Sequence, residues 1–217
     1  MKKLLIFDLD GTLADTLPSI TRAINLAAAE FGYPERTYED VRRAIGNGAK
    51  LLCKRLMPED EAQSDERVKA FLDCYESKYD LTYAEADTCY DGMSETLAEL
   101  YKRGYMIAVL SNKQDKYVKP IAAQLIPEPM LGYAAGQREG YPKKPDPAVP
   151  LSIVEMLGAD ISACAFIGDS DVDVKTGKNM GATAVGCDWG YRPRAELIDS
   201  GADFVISRPE ELLEIFK

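Results

Sequence analysis

Leu4 to Phe7 is an uninterrupted apolar run that stops abruptly at Asp8. Four apolar residues in a row, with no polar alternation, predict a short strand buried on both faces of a parallel sheet. The period then changes. Ile20, Ala23, Ile24, Ala27, Ala28 and Phe31 recur at helical spacing, with Asp15 or Thr16 placed to cap the helix, Pro18 in its first turn and Gly32-Tyr33-Pro34 to end it. Thr37 to Ile45 predicts a second helix, opened by a capping box between Thr37 and Asp40. After the break Gly46-Asn47-Gly48, a third helix carries Leu51, Leu52, Leu56 and Met57. The acidic stretch Pro58 to Asp65 leads into a fourth, through Val68, Phe71, Leu72 and Tyr75. From Asp15 to about Thr82 the pattern predicts helices only.

Beyond Ala84 apolar runs and helical periods alternate. Helices are predicted at Ser94–Arg103, ended by Gly104, through Val118, Ile121 and Leu125, and at Pro147–Leu157. Strands are predicted at Tyr105–Leu110, near Leu131–Ala135, at Ala163–Ile167, Thr183–Val185 and Phe204–Ile206, with a closing helix at Pro209–Phe216. Strands alternating with helices predict an α/β fold built on a doubly wound parallel sheet. The helical block just after the first strand makes it an insertion. Two domains follow: a core of residues 1–14 and 83–217, and an all-helical domain of residues 15–82.

The 217 residues are 46% apolar, enough for one sizeable core with a small inserted domain. A net charge of −10 argues against nucleic acid or anionic membranes as partners. The chain has no histidine, which removes every histidine nucleophile, base or metal ligand. Its five cysteines are widely spaced without a C-x-x-C pair, so reduced thiols and a cytoplasmic protein are expected. Lys2 and Lys3 precede an apolar run that Asp8 cuts far short of a signal core or a membrane span.

The first strand delivers two carboxylates, Asp8 and Asp10, to its C-terminal tip, where open α/β sheets bind ligands. Two acids on one short loop repel unless a cation or a shared proton intervenes. A divalent metal with hard oxygen ligands answers that, with one aspartate left to attack an electrophile. Three later strand or loop ends carry compatible chemistry: the hydroxyl and amides of Leu110-Ser111-Asn112, a lysine set among prolines in Lys143-Lys144-Pro145-Asp146-Pro147, and the acids of Gly168-Asp169-Ser170-Asp171-Val172-Asp173.

The stretch KLLIFDLDGTL resembles the nucleophile motif of the haloacid dehalogenase (HAD) superfamily, and the three later clusters, in order, are similar to its other motifs. The resemblance implies a Rossmann-like HAD core, a type-1 helical cap that selects substrate, and a Mg²⁺-dependent phosphatase acting through an aspartyl-phosphate. It makes Asp8 the nucleophile and Asp10 the general acid/base. Thr12, Ser111 and Asn112 would bind the phosphoryl group, and Lys144, directly before Pro-x-Pro and so preferred to Lys143, would neutralise charge. Asp8, the backbone carbonyl of Asp10 and Asp169 would hold the metal, with Asp173 behind them.

The segment Val41 to Gly48 with Leu51, Leu52 and Arg55, and the segments Asp171 to Gly181 and Trp189 to Arg192, resemble the phosphoglycolate phosphatases within that superfamily. That implies a small phosphorylated substrate, handled by a monomer or homodimer, with Asn47 and Arg55 as cap contacts and Arg42 or Arg43 as further carboxylate binders. Tyr90-Asp91-Gly92 departs from the Tyr-Pro-Gly common in relatives. Pyrophosphate or a sugar phosphate is the alternative substrate. A phospho-accepting receiver-like domain is the alternative of another class, disfavoured by the paired acids on one strand and by the helical insertion.

Overall fold

The structure, a computed structural model, describes residues 2–86 and 88–217. In chain order its strands and helices are β1 (Lys2–Phe7), β2 (Ala14–Asp15), α1 (Leu17–Phe31), α2 (Tyr38–Ala44), α3 (Ala49–Leu56), α4 (Asp65–Ala86), β3 (Thr88–Cys89), α5 (Met93–Lys102), β4 (Tyr105–Gln114), α6 (Asp115–Leu125), β5 (Leu131–Gln137), α7 (Ala148–Leu157), β6 (Ala159–Gly168), α8 (Asp171–Met180), β7 (Thr183–Cys187), α9 (Arg194–Asp199), β8 (Phe204–Ile206) and α10 (Leu212–Ile215). The chain divides into two compact units, one formed by residues up to Asp15 together with Cys89–Lys217, the other by Thr16–Thr88.

The first unit is a six-stranded sheet in the order β5-β4-β1-β6-β7-β8, with every pairing parallel. β1 is central because its four apolar residues serve both faces: Leu4, Leu5, Ile6 and Phe7 are all fully buried. Leu4 and Ile6 join Ala108, Leu110, Phe166 and Ile153 in one cluster of the core. The chain builds outward from β1 through β4 to β5, then returns to the other side through β6, β7 and β8. That reversal opens a crevice at the carboxyl ends of β1, β4 and β6. Register sets what lies there. Phe7 pairs with Val109 on one side and Ile167 on the other, so Asp8 emerges level with Leu110 and Gly168, next to Ser111 and Asp169.

The second unit consists, among its described residues, of α1 to α4 and a single 3₁₀ turn at Glu61–Gln63. Thr37 caps α2 with the expected box: its hydroxyl accepts the Asp40 N–H, and Asp40 accepts the Thr37 N–H. α1 ends on Gly32 in the left-handed region (φ +68°), where a Cβ would be strained. Phe31, Tyr33 and Phe71 then meet with centroids 5.4–5.5 Å apart and lock α1 onto α4.

Several boundaries differ from the sequence pattern. β4 continues past Leu110 to Gln114, which pairs with Gln137; ladder bonds use only backbone, so polar side chains at the sheet mouth do not end it. α4 runs to Ala86, beyond the expected Thr82. The closing helix is a 3₁₀ turn at Pro209–Glu211 followed by α10. α9 was not foreseen, since only Leu197 of its six residues is buried. β2 and β3 pair where the chain leaves the first unit and re-enters it, too short to leave a hydrophobic period.

Replacing Phe71, fully buried in the helical unit, with alanine is expected to lower stability by about 3–5 kcal/mol. The measurement is the urea midpoint of unfolding followed by circular dichroism, with the slope of the transition unchanged.

Candidate active site

Asp8 leaves β1 with its N–H donating to the Ile167 carbonyl (2.9 Å), which ties the end of β1 to β6. Its Oδ1 accepts the Leu9 N–H at 2.7 Å and lies 2.9 Å from Lys144 Nζ. The loop beyond is wound tight: the Leu9 carbonyl accepts N–H groups from Thr12, Leu13 and Ala14 at 3.3, 3.1 and 3.0 Å. Gly11 permits it, at φ +81° and so close to Asp169 that a Cβ would stand 2.5 Å from Oδ2. Asp10 turns to a different cation, accepting from Lys113 Nζ at 2.7 Å, with both side chains about nine-tenths buried.

Lys144 is held from two sides. Asn112 grips its backbone, accepting the Lys144 N–H at 2.9 Å and donating to the Lys144 carbonyl at 3.2 Å. The ammonium sits between Asp8 and Asp173 Oδ1 (2.7 Å), with the lysine side chain 3% and the Asp173 side chain 1% exposed. Asp173 is fixed in turn, its Oδ2 accepting the Ser170 N–H at 3.1 Å and the Ser170 hydroxyl at 2.5 Å. This is the capping box of α8 turned to a second use. Gly168 makes room for it; a Cβ there would fall 2.2 Å from Asp173 Cβ.

Asp169 is set by the segment after β7. The Tyr191 N–H donates to its Oδ2 at 2.7 Å and the Thr12 hydroxyl to its Oδ1 at 3.3 Å. Gly190 passes so close that a Cβ would stand 2.3 Å from both Asp169 Cβ and the Gly11 carbonyl oxygen. Trp189 Nε1–H donates to the Thr12 carbonyl at 3.2 Å and its ring packs 6.3 Å from Tyr90.

Oxygens of Asp8, Asp169 and Asp173 lie within 4.8 Å of one another. Burial pushes the Asp8 carboxyl up to about 6; Lys144 pulls it down, while Asp173 and Asp10 push it further up. Burial likewise raises Asp169 well above the usual carboxylate range, aided by Asp173 and Asp8. Lys144 keeps its proton firmly: burial works against the charge, but Asp173 and Asp8 outweigh it. Three carboxylates against one ammonium leave two negative charges uncompensated, and the oxygens are hard donors. The donor set therefore fits a divalent cation. Both oxygens of Asp173 and both of Asp169 already accept protein donors, which fixes the two carboxylates in place beside Asp8.

The expected core residues thus gather at one sheet edge. The Thr12 hydroxyl donates to Asp169, its N–H donates to the Leu9 carbonyl and its own carbonyl accepts from Trp189, so Thr12 braces the acid cluster. Asn112 uses its side-chain oxygen and nitrogen to clamp the Lys144 backbone. Lys143 is exposed, whereas Lys144 is buried. In the helical unit Arg55 donates to Asn47 Oδ1 (2.8 Å) and the Ala44 carbonyl (2.9 Å), bringing those two residues together. Arg42 and Arg43 both bond Glu39. Lys113 was not foreseen, its signal being only a lysine after Ser-Asn. Gly190 and Tyr191 lie in the segment Trp189 to Arg192 marked by resemblance, but their hold on Asp169 is a tertiary contact that the segment does not announce.

Carboxylates and a buried lysine at the carboxyl edge of a parallel sheet, where strand order reverses, define the catalytic end of an α/β enzyme core. The chain belongs to the haloacid dehalogenase-like hydrolase family, whose profile matches residues 5–187. It is 34% identical over 206 residues to a phosphoglycolate phosphatase of Pseudomonas syringae, covering 90% of this chain and 74% of that one. It is 31% identical to the phosphoglycolate phosphatase of Mannheimia succiniciproducens, covering 98% and 97%. A crystal structure from Haemophilus somnus, described as a predicted phosphoglycolate phosphatase, superposes with a TM-score of 0.90 at 28% identity, over 100% and 98% of the two chains. Among the described residues no helix is long and apolar enough to cross a membrane.

Without a cation, a raised Asp8 carboxyl makes the folded chain bind more protons than the unfolded one between its ordinary range and about 6, so stability falls as pH rises through that window. Mg²⁺ is therefore expected to raise the melting temperature more at pH 8 than at pH 5. At a hundredfold excess over its Kd the gain is about 2.7 kcal/mol. Gly190→Ala, which displaces Asp169, is expected to remove most of that gain.

Proposed function

We propose that this enzyme is a Mg²⁺-dependent phosphatase that hydrolyses a small phosphate monoester, 2-phosphoglycolate foremost, through a phosphorylated Asp8. The observation that carries the reading is the buried Asp8–Lys144–Asp173 chain at the carboxyl edge of β1 and β6. Lys144 has no other buried acid to serve than these two, among the described residues that bond it, and one of them stands at the strand tip with an oxygen left for attack.

Phosphoryl transfer needs little covalent help; it needs in-line positioning and neutralised charge. Asp8 attacks phosphorus in line, the ester oxygen leaves with a proton from Asp10, and Asp10 then takes a proton from the water that hydrolyses the acyl phosphate. Lys144 lets the Asp8 carboxylate approach an anionic phosphate, and the Ser111 hydroxyl and neighbouring amides receive the equatorial oxygens. Asp8, Asp169 and the Asp10 carbonyl would hold Mg²⁺, which would supply the remaining positive charge. Asp173 keeps Lys144 aimed. The unit Thr16–Thr88 acts as the cap that selects substrate, with Asn47 and Arg55 as its contacts. A receiver-like reading fails on family membership across residues 5–187 and on the two acids sharing one strand end.

Phosphate release from 2-phosphoglycolate and from pyrophosphate, measured side by side in Mg²⁺, tests this. The expected result is release from 2-phosphoglycolate, lowered at least about a thousandfold by Asp8→Asn and about a hundredfold or more by Lys144→Met. Release from pyrophosphate alone would redirect the substrate class. A rate that Asp8→Asn shares with the parent enzyme would remove the covalent mechanism.

A further inference from the structure

α8 holds the Lys144 segment at two points. Asp173, in its first turn, takes the lysine ammonium at 2.7 Å. Asn179, in its last turn, reaches the backbone just beyond the lysine: its Nδ2 donates to the Pro145 carbonyl at 2.9 Å. The two side chains leave the helix at points about 9 Å apart along its axis, at 1.5 Å per residue. One rigid element therefore grips both the charged tip of Lys144 and the residue that follows it.

The hold from Asn112 is of another kind. Asn112 bonds the Lys144 N–H and carbonyl from the end of β4, and so places the lysine against the sheet. Asn179 places it against α8, the helix whose Asp173 takes the ammonium. The aim of that ammonium at Asp8, 2.9 Å away, depends on both references. Helix stability gives no reason for an asparagine here. Asn179 is exposed, and at an exposed helical position alanine is the better helix former, because the asparagine amide competes for backbone groups. Its neighbour Lys178 supplies the contrast. It is exposed on the same turn, but its bond goes to Asp203, just before β8, and not to the lysine segment.

We propose that Asn179 is a positioning residue for Lys144: through the Pro145 carbonyl it sets where the ammonium stands between Asp8 and Asp173. The inference rests on the phosphatase reading above, in which Lys144 neutralises charge as Asp8 attacks phosphorus, and extends it to a residue on the outer surface of α8. Neutralisation matters most where two anionic groups come together in the transition state. A small displacement of the ammonium therefore lowers kcat more than it weakens substrate binding. The contact is donated by an amide N–H to a carbonyl. An ionised aspartate fills the same space but offers lone pairs only, so it cannot replace the bond.

The test is a double-mutant cycle on kcat and KM, measured in Mg²⁺ on whichever of 2-phosphoglycolate and pyrophosphate the parent enzyme hydrolyses. The set is the parent, Asn179→Ala, Asn179→Asp, Lys144→Met and the double variant Asn179→Ala with Lys144→Met. Lys178→Ala serves as a control on the same helix, and melting temperatures as a control of folding. The expected result is a kcat about tenfold lower in both Asn179 variants, with KM within about twofold of the parent and Lys178→Ala parent-like. Adding Asn179→Ala to Lys144→Met is expected to cost less than about a further twofold, because the residue acts through the lysine. A tenfold loss repeated in the Lys144→Met background, or shared by Lys178→Ala, would overturn the inference and leave Asn179 a support of the fold. Parent-like kcat in both Asn179 variants would overturn it as well, and in each of these cases the phosphatase reading stands. A parent enzyme that hydrolyses neither substrate would remove both.

Discussion

The ammonium of Lys144 is the constraint on which the rest of the site depends. A lysine side chain 3% exposed cannot keep its charge without partners in contact, and the carboxylates that keep it charged would repel each other without it. Removing either side of this arrangement leaves an uncompensated charge inside the protein. The surrounding structure reads as a set of devices for holding the three charges together. Asn112 clamps the lysine backbone from β4, the α8 capping box fixes Asp173, and the backbone bond from Asp8 to Ile167 ties the strand tips together. Each device comes from a different segment of the chain, and the parallel sheet is what brings their ends to one edge.

This is also why two glycines of the site admit no side chain. Gly168 and Gly190 pass within 2.2–2.3 Å of where a Cβ would meet an aspartate. The acids are packed against backbone rather than against flexible side chains, so they cannot swing apart to relieve their repulsion. Rigid packing of like charges is unfavourable for folding and useful for function, since it creates a site that a cation satisfies and that stays aimed before the cation arrives.

Much of this was legible in the sequence. The run Leu4–Phe7 ending in Asp8 has the signature of a central strand, and its four residues are fully buried on both faces. The Thr37–Asp40 box appears as expected because a capping box is a local arrangement that needs no tertiary contact. What could not be read is non-local. The division of the Asn112 side chain between the N–H and carbonyl of Lys144, thirty-two residues away, has no sequence period. The resemblance alone suggests Thr12 as a phosphate ligand, and only the tertiary structure shows its hydroxyl donating to Asp169. β4 looked four residues shorter because hydrophobicity reports burial, whereas a ladder at the mouth of a sheet can be carried by polar residues.

Two lysines of the site lie at similar distances from carboxylates and join different segments. Lys144 lies 2.7 Å from Asp173 and 2.9 Å from Asp8, so it ties the tip of β1 to the start of α8. Lys113 lies 2.7 Å from Asp10, so it ties the end of β4 to the loop beyond β1. Both side chains are withdrawn from water, at 3% and 8% exposure, and each keeps its charge by contact with an acid. Asp8 and Asp10, two residues apart on one strand end, are thus held by cations from two different segments, which is how the sheet keeps both acids at its edge.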